Sequence, residues 1–156
     1  MVSLRVRAFE WILCNFFALF YSNYCTLKLS NPQTMTKQLL YIFLGGGFGS
    51  VLRFLVSNFT QKLWNVNSFP MGTFIVNMVG CFLIGIFSTY FLKIDNYLKF
   101  LLITGFCGGF TTFSTFSAEN ISLWQNGNYG ILMFYILLSV VLGFFLVYLG
   151  INISKN

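Results

Sequence analysis

The residues best equipped for chemistry lie between Thr104 and Phe116, in the stretch TGFCGGFTTFSTF. Three glycines, Gly105, Gly108 and Gly109, and four hydroxyl residues, Thr111, Thr112, Ser114 and Thr115, interrupt a long apolar run. Glycine costs about 1 kcal/mol against alanine inside a helix. At membrane depth, backbone that leaves the helix survives only where it is buried in protein or lines a cavity. A segment broken there can seat an ion on its own carbonyls. Close helix packing uses the same small residues, but the density of hydroxyls, with Phe113 and Phe116 among them, favours an ion pathway.

Asn77 is the second candidate. It lies in FPMGTFIVNMVGCFLIG, where Thr73, Asn77, Gly80 and Gly85 are expected on one side of a helix. Its amide either makes an interhelical hydrogen bond, or donates to a passing anion while a neighbour holds its oxygen. Phe113, Phe116 and Glu119 step by three along the next apolar run, with Thr112 and Thr115 beside them. Phenyl rings carry positive edges that help to solvate a small anion; the plain alternative is two lipid or core phenylalanines. Glu119 either fixes its helix by pairing or sits at the interface. Tyr135, Ser139 and Gly143 step by four, as a donor track or a packing seam would.

Composition narrows the solvent and the chemistry. Of 156 residues, 57% are hydrophobic and only 8% charged, against about a quarter charged in soluble domains. So apolar a chain has lipid as its solvent. There is no His, and Glu10, Asp95 and Glu119 are the only acids. Acid–base catalysis, a carboxylate-lined proton path and a His/Glu metal centre lack material. The net charge of +6 is scattered, with no nucleic-acid footprint. Cys14, Cys25, Cys81 and Cys107 show no ligand spacing.

Four apolar segments must position these residues, near 38–59, 70–91, from the loop 93–99 to Trp124, and 131–150. The first carries GGGFGS and Arg53 in one register, so Gly45, Gly49 and Arg53 share a face. Arg53 either snorkels to the membrane surface or faces an anion-attracting vestibule. Short loops leave no room for a soluble module. Before them, Arg5, Arg7 and the apolar run 11–21 have the outline of a signal peptide without a clear cleavage site. An extra helix, or a true start at Met35, are the alternatives, and the last is favoured. Residues 1–34 are then an extension and 35–156 the protomer. Lys37, Lys93, Lys99 and Lys155 fall on one side and Lys62, with Arg53 near it, on the other. That bias specifies orientation only weakly.

GGGFGSVLRF from Gly45, FPMGTFIVNMVGCFLIG from Phe69 and TGFCGGFTTFSTFSAE from Thr104 together resemble the Fluc/CrcB fluoride channels over roughly Met35 to the end. The resemblance implies an all-α integral membrane protomer of four transmembrane helices, the third broken, in the cell inner or plasma membrane. It implies pairing with an identical protomer in antiparallel, dual-topology orientation, with two pores per dimer. It implies a central, structural Na⁺ held by the backbone carbonyls of Gly108 and Thr111. The implied fluoride pathway comprises Asn77, Phe113, Phe116, Ser114 and Thr115, and less closely Tyr135 and Ser139. The implied activity is passive fluoride efflux rather than an enzymatic reaction. Phe110 stands where the family often has Leu. Two other classes compete: a small four-span proton-coupled multidrug-type transporter, which needs a membrane-embedded carboxylate, and a non-conducting assembly subunit.

Overall fold

The computed structural model describes residues 32–63, 69–90 and 96–155. The chain divides into two units, Met1–Lys37 and Gln38–Asn156. Of the first, only the helical residues from Pro32 are described; the sequence expectations for the preceding residues, Cys14 and Cys25 included, lie outside the described residues.

The described residues of the second unit form helices joined by short non-helical stretches. Helix α1 is Pro32–Leu63 and α2 is Met71–Tyr90. The third span is composite: α3 comprises Asn96–Lys99, Phe100–Cys107 in wide π-type turns, and Gly108–Phe110. After an extended pair, Thr111 and Thr112, the chain resumes as α4, Phe113–Gln125, and ends in α5, Tyr129–Lys155. Four stretches are long and apolar enough to cross a membrane: Met35–Leu63, Met71–Thr89, Tyr97–Gln125 and Tyr129–Lys155. At 1.5 Å per residue even the shortest reaches about 28 Å, close to the hydrocarbon thickness of about 30 Å. The protein is a multi-pass membrane protein. The helices overrun the expected ends of the first and fourth spans, because continuing a helix past the hydrocarbon keeps its peptide groups bonded.

Glycines let these helices approach backbone to backbone. A Cβ at Gly45 or Gly49 would run into the carbonyls of Leu101 or Phe106, so α1 lies directly on α3. From the other side, a Cβ at Gly105 or Gly109 would meet the α1 backbone at Ile42 and Gly46. Two of the three glycines expected to weaken the third helix are therefore packing residues. The break itself falls at the threonines: Thr111 (φ −78°, ψ 154°) and Thr112 (φ −146°, ψ 117°) are both extended.

Gly80 faces Thr111, but Gly85 is turned against Val147 and Gly150 of α5. The expected single stripe from Thr73 to Gly85 thus splits. Five residues of helix rotate by about 140°, which points Gly85 at a different neighbour. Gly143 faces Cys81 and Met78, so this part of the α5 stripe is a packing seam. Pro70 precedes α2, where a missing N–H removes no helical bond. Gly127 ends α4 with φ 73°, its N–H bonded to Trp124 O, while the Asn128 N–H reaches Leu123 O, a left-handed cap that turns the chain sharply into α5.

Candidate functional site

The break in the third span is held from α2 by one side chain. Asn77 Nδ2–H donates to the Thr112 carbonyl at 3.1 Å, and the Thr112 N–H donates to Asn77 Oδ1 at 2.8 Å. An extended residue points its N–H and C=O the same way, and the carboxamide offers the matching donor and acceptor. Asn77 thereby replaces two helical bonds that the break removes. Of the two readings of Asn77, the interhelical hydrogen bond is the one seen here. It makes an interhelical bond, its oxygen is held, and one of its two N–H hydrogens remains outside the pair.

Thr112 also opens α4. Its Oγ1 accepts from the Thr115 N–H at 3.3 Å, the N-cap geometry that Ser and Thr favour. The same oxygen lies 3.2 Å from Ser114 Oγ and 3.1 Å from Thr115 Oγ1. Three hydroxyls bring three protons, and the two contacts use two of them. The third hydroxyl proton is used by neither contact. The Thr111 hydroxyl adds no further such proton, because it donates to Cys107 O at 2.9 Å.

The same bonds leave two carbonyls without their helical donors. In a regular helix Gly108 O would accept from the Thr112 N–H, and Thr111 O from the Thr115 N–H. The first N–H goes instead to Asn77 and the second to Thr112 Oγ1. Gly108 and Thr111 are the residues named for a cation on carbonyl oxygens, and hard cations take such ligands. Their chemistry fits that group. Gly108 is exposed and Thr111 half-buried.

Aromatic residues follow on α4. Phe113 is 80% exposed, with its ring 6.0 Å from that of Phe116. Phe116 is half-buried and lies 4.9 Å from the ring of Tyr135. Tyr135 is fully buried, and its hydroxyl donates to Glu119 Oε2 at 2.9 Å. Thr73 Oγ1 donates to the other carboxylate oxygen at 2.5 Å. Glu119 thus ties α4 to α2 and α5. Ser139, one turn beyond Tyr135, is half-buried.

Beside the break opens a cleft of about 250 Å³. Arg53, Ser57 and Asn58 of α1 line it opposite Thr73, Thr112 and Thr115. Arg53 therefore borders a cleft of mixed polar and apolar lining at the break, to which Phe54 and Val76 also contribute. Of the expected pathway residues only Thr115 borders this cleft; Asn77, Ser114, Phe113, Phe116, Tyr135 and Ser139 are arranged around the break outside its lining.

The residues 40–151 match the family model described as CrcB-like protein, Camphor Resistance (CrcB). The chain belongs to the CrcB family. It is 48% identical over 124 residues to a protein of Azobacteroides pseudotrichonymphae, covering 78% of this chain and 98% of the relative. It is 49% identical over 123 residues to one of Flavobacterium psychrophilum, covering 77% and 98%, and 50% identical over 121 residues to one of Phocaeicola vulgatus, covering 76% and 99%. Each of these CrcB relatives is named fluoride-specific ion channel FluC, a channel rather than an enzyme.

Sequence reasoning named Thr112 among the hydroxyls and beside the Phe113–Glu119 face, but missed it as the keystone of the break. Its one local signal was a Thr just ahead of an apolar helical run, where an N-cap belongs. Glu119 carried a stronger signal. Among the described residues it is the one acid inside a span, and an acid there needs partners. Thr73 and Tyr135 were both on stripes already marked.

Proposed function

We propose that this CrcB chain is a passive, fluoride-selective channel that lets fluoride leave the cytoplasm. The observation that carries the reading is the break at Thr111–Thr112, pinned by Asn77 and capped by a cluster of hydroxyls. Fluoride is small and gives up its water reluctantly. Donors must replace that water, and unused ones lie close together here: the second Asn77 N–H and the spare proton among Thr112, Ser114 and Thr115. The ring edges of Phe113 and Phe116 add weak positive potential. Arg53, on the adjoining cleft, draws anions towards the break. Chloride is larger and easier to dehydrate, so a close-fitting ring-lined passage discriminates by size.

The working unit in this reading is an antiparallel pair of identical protomers, and the exposed Phe113 would be covered by the second copy. Na⁺ would sit on the Gly108 and Thr111 carbonyls of both protomers and supply fixed positive charge near the anion path. Tyr135 and Ser139 extend the path along α5. Residues 35–156 form the protomer, with 1–34 as an extension.

A proton-coupled exporter needs an acid that exchanges its proton with a substrate-accessible cleft. Both oxygens of Glu119 are already bonded to neighbouring helices. That favours a fastening role over a shuttle.

The test is efflux from reconstituted liposomes followed with fluoride- and chloride-selective electrodes. Rapid fluoride release without chloride release, and without an imposed proton gradient, is expected. Equal rates for both anions reject selectivity, and a requirement for a proton gradient rejects passive flow. Replacing Na⁺ by a bulky organic cation should reduce fluoride release; no change would remove the cation from the reading.

A further inference from the structure

Trp124 and Tyr129 stand on either side of the turn that joins α4 to α5. Their rings meet edge to face, with centroids 5.4 Å apart and planes at 85°. Trp124 is 60% exposed and Tyr129 55%. Apart from this ring contact neither side chain has a partner among the described residues, so the indole N–H and the phenol O–H are directed to the surroundings. The turn between them, Gln125 to Asn128, carries amides and no charge.

The other end of the bundle has its own rings. Tyr41 of α1 and Tyr97 of α3 lie 5.5 Å apart, and α5 brings the exposed Tyr148 to the same end. Tyr129 and Tyr148 are nineteen residues apart on one helix. That is about 28 Å at 1.5 Å per residue, close to the thickness of the hydrocarbon layer, about 30 Å.

We propose that the Trp124–Tyr129 pair docks in the ester-carbonyl layer of a phospholipid bilayer, and that with the tyrosines at the far end it sets the depth at which the bundle rides. A ring with a polar tip suits that layer, because its body stays in hydrocarbon while its hydrogen reaches an ester or phosphate oxygen. The spacing between the two sets of rings selects lipid as the occupant. A protein partner on one turn would place no demand on the distance to Tyr148. The inference rests on the membrane assignment alone and stands apart from the choice of ion.

The test uses the full-length chain with Trp11→Phe and Trp64→Phe, so that Trp124 is the sole fluorophore. It is reconstituted into phosphatidylcholine vesicles brominated at shallow, middle or deep chain positions. The expected result is the greatest loss of fluorescence with the shallow label, a steady fall with depth, and little loss to aqueous iodide. Strongest loss with the deep label overturns the proposal, as does loss to iodide with none to bromolipid. Trp11→Tyr with Trp64→Tyr repeats the measurement should the phenylalanine background not reconstitute.

Discussion

Asn77 and Thr112 exchange two hydrogen bonds, and each answers a group that the broken helix leaves bare. In a fully buried pair, removing one partner costs about 1–3 kcal/mol for each group left unsatisfied, and this pair is part-buried. Asn77→Ala should therefore lower the thermal unfolding temperature of the detergent-solubilised protein as well as abolish fluoride release. Phe113 and Phe116 separate on the same ground. Phe113 is exposed in the protomer, whereas Phe116 packs on Tyr135. Phe113→Ile should cut fluoride flux with the protomer's fold intact, while Phe116→Ala should also destabilise it by about 3 kcal/mol, the usual cost of emptying an aromatic site. Parallel efflux and thermal-shift measurements check the pair, and unchanged flux in Phe113→Ile would remove that ring from the pathway. Glu119 accepts from Thr73 and Tyr135, and Glu119→Ala strands both hydroxyls. A large loss of thermal stability is expected; wild-type stability would contradict the fastening role. These pairings were out of reach of the sequence. Asn77 and Thr112 are thirty-five residues apart, and nothing local in either segment specifies the partner.

At the scale of the helix, glycine position decides what substitution does. Gly45 and Gly49 lie on the α3 backbone, and a methyl group there meets peptide oxygen. Gly47, in the same GGGFGS run, has nothing within 4 Å of where its Cβ would be. Gly45→Ala should force α1 and α3 apart and sharply reduce the yield of folded protein. Gly47→Ala should be tolerated, and in a helix it gains up to about 1 kcal/mol. Size-exclusion profiles of the two variants, side by side, test this; equal behaviour would contradict the close α1–α3 contact. Four spans were legible from hydropathy alone, because lipid leaves a run of apolar residues few alternatives to a helix. The face shared by Gly45, Gly49 and Arg53 was legible too, since helical spacing fixes it. Attribution of the break was not. Glycines in the third span read as helix breakers, but packing against α1 claims Gly105 and Gly109, and Thr112 gains enough bonds in the extended state to end the helix itself.

For the whole molecule, the break lies about midway between the rings at the two ends of the third span. Trp124 is twelve residues beyond Thr112 and Tyr97 is fourteen before Thr111. At 1.5 Å per residue the first is about 18 Å, and the second is at most about 21 Å because the wide π turns of Phe100–Cys107 rise less than an α-helix. An ion at the break would then be close to the bilayer centre, where bare charge is most expensive and protein donors are most needed. The family resemblance was legible in three motifs in order, and the match over residues 40–151 bears it out. Pairing of protomers was not open to the same reading, because the exposed rings of a lone protomer suit lipid and a second copy equally. A chain begun at Met35 should release fluoride as fast as the full chain, which flux from equal amounts of the two proteins would check. The central claim is that fluoride passes at the Asn77-held break, and Asn77→Asp probes it most directly. Aspartate keeps the size and the acceptor for the Thr112 N–H, but loses the donor and adds negative charge. Fluoride release from liposomes holding correctly folded Asn77→Asp should fall to that of protein-free vesicles, whereas release at the unsubstituted rate would contradict the account.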